Sequence, residues 1–94
     1  MTIKPEAMLD ILDAARWYED QRAGLGKRFR AALDRVFGQI EAMPEIHRVI
    51  SKHVRRAVTP GFPFGVYYRI DDGEVIVLAV IHSSRDPDRW KSRL

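Results

Sequence analysis

Seven consecutive apolar residues, Val75-Ile76-Val77-Leu78-Ala79-Val80-Ile81, follow directly on Asp71-Asp72-Gly73-Glu74. An unbroken apolar run of strand length reads as a central strand covered on both faces or nearly so. Asp-Gly tolerates the positive φ that a tight hairpin turn requires, so the preceding segment pairs with this strand antiparallel. That segment is Phe64-Gly65-Val66-Tyr67-Tyr68-Arg69-Ile70, rich in aromatic and β-branched residues. Val54 to Val58 reads as a further strand, ended by the Thr59-Pro60-Gly61 break, and Thr2-Ile3-Lys4 is long enough only for an edge strand.

A sheet with such an interior strand needs a cover, and the first half of the chain supplies it. Pro5 suits the first turn of a helix, and Glu6 and Asp10 favour its N-terminus electrostatically. Met8, Ile11, Leu12, Ala15 and Tyr18 then repeat at helical spacing, with Asp10, Asp13, Arg16 and Asp20 mostly outside the stripe. Gly24-Leu25-Gly26 supplies a helix stop near Ala23. A second helix starts just after Gly26 with the stripe Phe29, Ala32, Leu33, Val36, Ile40 and Met43, and Pro44 ends it. Two amphipathic helices on so short a loop predict an antiparallel helical hairpin. The order is β-α-α-β-β-β: an α+β fold with the hairpin packed on one face of a small, four-stranded, mostly antiparallel sheet. The predicted core includes Leu12, Ala15, Phe29, Leu33, Val36, Ile40, Val66, Val77, Ala79 and Ile81. At 94 residues the chain is expected to be a single domain spanning residues 1–94.

Several chemistries are excluded. The chain has no cysteine, hence no disulfide scaffold, thiolate zinc site or cysteine nucleophile. It has no Gly-rich phosphate loop, no HExxH and no GxSxG. His47, His53 and His82 fall in different elements without ligand spacing, so neither a metal nor another cofactor is expected. No apolar run approaches the roughly 20 residues that span a bilayer, and the N-terminus lacks a signal-peptide layout, so no membrane partner and a cytoplasmic location are expected.

Charge is distributed unevenly. Residues 1–46 carry seven Lys/Arg against eight Asp/Glu, whereas residues 47–94 carry nine against five. From His47 to Arg56 the chain has Arg48, Lys52, Arg55 and Arg56 and no acid, a patch that attracts phosphates or an acidic protein partner. Arg55 and Arg56 are adjacent on a strand and so point to opposite faces, as do Tyr67 and Tyr68, of which one is expected in the core and one outside. His82 ends the apolar strand, where a hydrogen-bonded structural role suits it, and Arg85, Arg89 and Arg93 follow at helix-like spacing. Arginine binds phosphate bidentately, yet Arg85, Asp86 and Arg89 equally suit an ion-pair network holding the tail to the sheet. The tail is expected to form a short helical turn with Asp86 as cap and Pro87 at its first position. Trp90, alone in a polar tail, reads as its anchor, and Trp17 reads as packing at the hairpin.

Two stretches, WYEDQRAGLGKRF and FPFGVYYRIDDGEVIVLAVIHSSRDPDRW, resemble the ParE-like branch of the RelE/ParE toxin superfamily. The resemblance runs from about Pro5 to Arg93 and keeps the order of elements. It implies the toxin of a type II toxin-antitoxin system, of the plasmid-stabilization kind, encoded beside a cognate antitoxin with which it forms a hetero-oligomer. RelE-like members cleave mRNA on the ribosome with basic residues and a C-terminal tyrosine and no metal, whereas ParE-like members poison DNA gyrase. The chain has Gly65 where the ribonucleases carry a strand arginine, and Trp90 or Lys91 near the place of their tyrosine. Arg85 matches their later arginine, and Arg55 or Arg56 stands in for a basic strand residue. Gyrase inhibition is therefore the expected activity, through a target-binding tail of Arg85, Arg89, Trp90 and Arg93. Arg48, Lys52, Arg55 and Arg56 are expected to meet acidic residues of the antitoxin. The alternatives are mRNA cleavage on the ribosome, with Arg55, Arg56, His82 and Arg85 as catalytic candidates, and a non-toxic binding module.

Overall fold

The computed structural model describes residues 1–84 and 88–94. Strand β1 (Thr2–Ile3) leads into helix α1 (Pro5–Gln21) and helix α2 (Leu25–Ala42). Strands β2 (Val49–Ser51), β3 (Val54–Val58), β4 (Phe64–Asp71) and β5 (Glu74–His82) follow, and a 3₁₀ helix (Arg89–Arg93) closes the chain. The sheet order is β1-β5-β4-β3-β2, with β1 parallel to β5 and every other pairing antiparallel. The sheet thus has five strands rather than four. The unpredicted one, β2, is three residues long and pairs through a register shift, too short and irregular to show an alternation.

The β4–β5 turn is as expected. Asp71 pairs with Glu74, leaving Asp72 (φ 49°) and Gly73 (φ 80°) as the two central residues of a mirror-image turn. The α1–α2 junction uses its glycines differently from the reading as a flexible stop. Gly24 adopts φ 88° and caps α2, but Gly26 lies inside that helix, where a Cβ would stand 2.5 Å from the Ala15 carbonyl oxygen of α1. Glu19 completes the joint by accepting the backbone N–H groups of Gly24 (2.9 Å) and Gly26 (3.1 Å). Two donors that α2 leaves unpaired at its N-terminus are so satisfied.

The hairpin packs on one sheet face. Phe29, Leu33, Val36 and Ile40 of α2 and Ile11 and Tyr18 of α1 join Phe64, Val66, Tyr68, Val77 and Val80 in the larger core. The α1 face is rotated from the predicted one. Ala7, Asp10, Ile11, Ala14 and Tyr18 are buried, Ala15 is half-buried, and Met8 and Leu12 are exposed, Leu12 by 47%. Small alanines let the helix lie close to the sheet, and the larger side chains point away.

The second face carries a separate cluster of Val54, Tyr67, Leu78, Ala79, Ile81 and Trp90. Both Tyr67 and Tyr68 are buried, so neither faces solvent as one was expected to do. A bulge explains part of this layout. Tyr67 pairs with Ala79 and Tyr68 with Val77, so Leu78 is the extra residue and Leu78 and Ala79 both join the second cluster.

Candidate functional site

The C-terminal segment is built on the edge of β5. Strand β1 pairs only with Ile76 and Val77, so β5 runs on without a strand partner on that side. Side chains take over where the strand stops. Asp10, buried on α1, accepts the Val80 N–H (3.0 Å), and Arg93 donates to the Leu78 carbonyl (3.2 Å). The two also bind each other bidentately, Nη1 to Oδ2 at 2.5 Å and Nη2 to Oδ1 at 3.1 Å. That bonding raises the Arg93 pKa further above its ordinary value, so the guanidinium stays charged. The Arg89 guanidinium stands 3.8 Å from the same carboxylate, with half its side chain exposed.

Trp90 crosses to the second sheet face. It is 3% exposed and stacks on Tyr67 at 5.7 Å between centroids and 17° between planes. Lys91 Nζ lies 5.8 Å from the Trp90 ring centre and 3.1 Å from Asp88. Trp90 is therefore the tail anchor expected of it, and Arg93 is a second anchor. Arg85, Asp86 and Pro87 lie outside the described residues; Asp88 takes the N-cap position of the 3₁₀ helix.

A cleft of about 270 Å³ opens between α1 and the end of β5, lined by Asp10, Asp13, Trp17, Phe64, His82 and Arg89 among others. His82 is half-buried, edge-on to Phe64, with Nδ1 within reach of the Ser84 N–H (3.2 Å) and hydroxyl (3.1 Å). Trp17 keeps its ring edge against Tyr18 and is half exposed at the cleft.

Arg55 and Arg56 separate as the strand alternation demands. Arg55 Nη1 donates to the carbonyls of Glu45 (3.0 Å) and His47 (2.6 Å), and Tyr68 donates its hydroxyl to Pro44 (2.7 Å). These bonds hold the chain that leaves α2. Burial, aided by the Arg55 charge, pushes the His47 imidazole below its ordinary pKa. Arg56 is exposed on the opposite face, and its stem lies over Gly65, where a Cβ would stand 3.2 Å from it and 3.0 Å from the Tyr67 ring. Position 65 thus has no room for an arginine without displacing both neighbours. Arg48 and Lys52 are exposed at the β2–β3 end.

The described ribonuclease candidates, Arg55, Arg56 and His82, do not converge. His82 pairs with Phe64, whereas Arg55 and Arg56 pair with Tyr68 and Tyr67, three or four residues further along β4. At about 3.3 Å per residue and 4.8 Å per strand, His82 lies roughly 10 Å along and 10 Å across the sheet from either arginine. Among the described residues, no group of three or more His, Asp or Glu side chains is placed to hold a metal ion.

Sequence reasoning missed Asp10 and Glu19. Both were visible only as helix acids, and Asp10 meets a partner 83 positions away.

The family profile described as "ParE toxin of type II toxin-antitoxin system, parDE" matches residues 1–87. The chain belongs to this toxin family. A solved structure titled "Chromosomal ParDE TA system from P. aeruginosa" shares the fold. The similarity has a TM-score of 0.64 at 14% identity and covers 87% of this chain and 95% of that one. No curated protein matches the chain in sequence. The ParE-family fold accounts for the quoted motifs physically. Trp17-Tyr18-Glu19 with Gly24-Leu25-Gly26 is the capped close approach of two helices, and the final Trp90 is a sheet anchor.

Proposed function

We propose that this ParE-family toxin inhibits DNA gyrase and is neutralised by a cognate antitoxin, both events taking place in the cytoplasm. One observation supports the target: of the groups that mRNA cleavage would need, the described ones, Arg55, Arg56 and His82, are dispersed. General acid–base chemistry requires a titratable group within reach of the scissile phosphate and its stabilising cations. His82 is remote from Arg55 and Arg56, Arg55 is spent on backbone carbonyls, and Trp90 has no hydroxyl and faces Tyr67. A binding surface remains. Arg89 is exposed at the mouth of the cleft, next to half-exposed Trp17, and these residue types often dominate protein interfaces. Trp90 and Arg93 serve the target surface by holding Arg89 there, and Arg85 joins it by sequence.

The antitoxin reading rests on exposed apolar surface beside positive charge. Met8, Leu9 and Leu12 form an exposed stripe on α1, and Met43, Ile46 and Val49 are exposed near Arg48 and Lys52. A partner segment with apolar anchors and acidic flanks complements both, folding as it binds. Arg48, Lys52 and Arg56 are the cations available to it, and Arg55 contributes by shaping the segment they flank.

Induction of the protein in cells tests the reading. Growth arrest relieved by the neighbouring gene's product, with intact transcripts and gyrase-dependent DNA damage, is the expected result. Codon-positioned mRNA cuts with normal plasmid supercoiling would sink it.

A further inference from the structure

The tip of the helical hairpin carries a second concentration of exposed positive charge. Residues 22–33 contain Arg22, Lys27, Arg28 and Arg30 and no acid, and Arg35 follows two turns after Arg28. All five side chains are exposed. None of them is ion-paired among the described residues. Of the carboxylates that flank the segment, Glu19, Asp20 and Asp34, Glu19 already accepts the Gly24 and Gly26 N–H groups.

The arrangement is locally unfavourable. Lys27, Arg28 and Arg30 crowd the start of α2, whose first turn holds no acid, so cations sit at the positive end of the helix dipole. A local rule broken without a compensating contact in the fold marks a surface shaped for something outside it.

The composition of the surroundings says which partner. Protein interfaces are built around buried apolar or aromatic anchors. The large exposed apolar side chains lie elsewhere: Met8, Leu9, Leu12 and Trp17 on α1, and Met43, Ile46, Val49 and Val58 toward the β2 edge. Between Arg28 and Arg35 the same side of α2 carries Ala31, and Gly38 continues the line with open space where a Cβ would stand. A cationic line about 10 Å long from Arg28 to Arg35, with only small side chains between them on that side, fits a phosphate backbone, whose recognition requires only charge and close approach.

We propose that this hairpin tip binds the phosphate backbone of duplex DNA without sequence preference. The choice of duplex DNA rests on the proposed action against gyrase, an enzyme that works on bound DNA. Binding is then weak, with a Kd of the order of 10⁻⁶–10⁻⁴ M, and steeply salt-dependent. The other basic patch, Arg48 to Arg56, contains exposed Val49, is flanked by exposed Ile46 and Val58, and is left to the antitoxin.

The test is fluorescence anisotropy of the full chain with a short mixed-sequence DNA duplex, titrated between about 50 and 200 mM salt. A log–log salt slope of about −3.5 is expected for the four cations Arg22, Lys27, Arg28 and Arg35, since Arg30, two positions from Arg28, points to another side of the helix. Arg28→Gln with Arg35→Gln should weaken binding at least tenfold and flatten the slope by about 2, with an unchanged circular dichroism spectrum. Arg48→Gln with Lys52→Gln should alter affinity less than about twofold. An unchanged slope in the tip variant, or an equal loss in the second variant, overturns the proposal. So does tighter binding of a single-stranded RNA of the same length, or displacement of the duplex by an equimolar acidic peptide. No gyrase is present in this assay, so its failure leaves the gyrase reading intact, and inhibition of supercoiling judges that reading separately.

Discussion

The two faces of the sheet are covered by very different means. One lies under 35 residues of helix, with Tyr18 and Phe29 in ring contact with each other and with both Phe62 and Phe64, and Leu33 and Ile40 fully buried. The other is covered by a five-residue 3₁₀ helix through one tryptophan, with Arg93 reaching round the β5 edge to Asp10. The first cover is made of many interchangeable apolar contacts and should resist everything except cavities. The second depends on a few specific ones, so it can carry a surface that varies while the fold stays.

The largest effect should come from the helical side. Phe29→Ala removes a side chain with no exposure from the aromatic cluster and is expected to cost about 3–5 kcal/mol. Leu33→Ala should cost about 2–4 kcal/mol. Equilibrium urea denaturation measures both, and losses under about 1 kcal/mol would mean that the hairpin is not the main stabilising layer.

Next is Asp10→Ala, which strands Arg93 and leaves the Val80 N–H without its acceptor. Breaking a buried pair typically costs about 3–5 kcal/mol, and the partial exposure of Arg93 puts this one near 2–3. Hydrogen exchange should show the Val80 amide losing protection before the α2 amides do. Simultaneous loss in both would erase the distinction between the two covers.

Trp90→Ala should act locally. The tail detaches once its anchor is gone, so the stability loss saturates at the docking energy of the tail, about 1–2 kcal/mol, below a typical core tryptophan. Toxicity on induction should fall with it, because Arg89 is no longer held at the cleft. Arg89→Ala should reduce toxicity with stability changed by less than about 0.5 kcal/mol. Full toxicity in both variants would remove the tail from the target surface.

The smallest effect is a pH dependence beneath α2. His47 has a lowered pKa in the folded chain, so the unfolded chain binds the proton first as pH falls. Stability from this group is complete above about pH 6.5, the unfolded value, and declines as pH falls from there through the lowered folded pKa. His47→Gln should flatten the fall in denaturation midpoint between neutral and mildly acidic pH. Matching pH profiles of variant and parent would contradict it.

Much of this architecture was legible because it is periodic. The apolar run of β5, the Asp72-Gly73 turn and the α2 stripe each declare themselves within one element. The face of α1 did not, because apolar size pointed to Met8 and Leu12 while close packing selected Ala7 and Ala14. Strand β2 has too few residues to show a pattern. The tail was half legible: a lone tryptophan in polar sequence announces an anchor, but the Asp10–Arg93 pair joins opposite ends of the chain, and no local pattern encodes it. The spread of His82, Arg55 and Arg56 was equally hidden, since it depends on strand register.

On the proposed function, this toxin acts by binding, through its tail, and performs no chemistry of its own. The most direct test adds the purified chain to a purified gyrase supercoiling relaxed plasmid, in parallel with mRNA on translating ribosomes. Inhibited supercoiling that Arg89→Ala weakens, with the mRNA left whole, is the predicted result. Unimpaired supercoiling together with cleaved mRNA would contradict it.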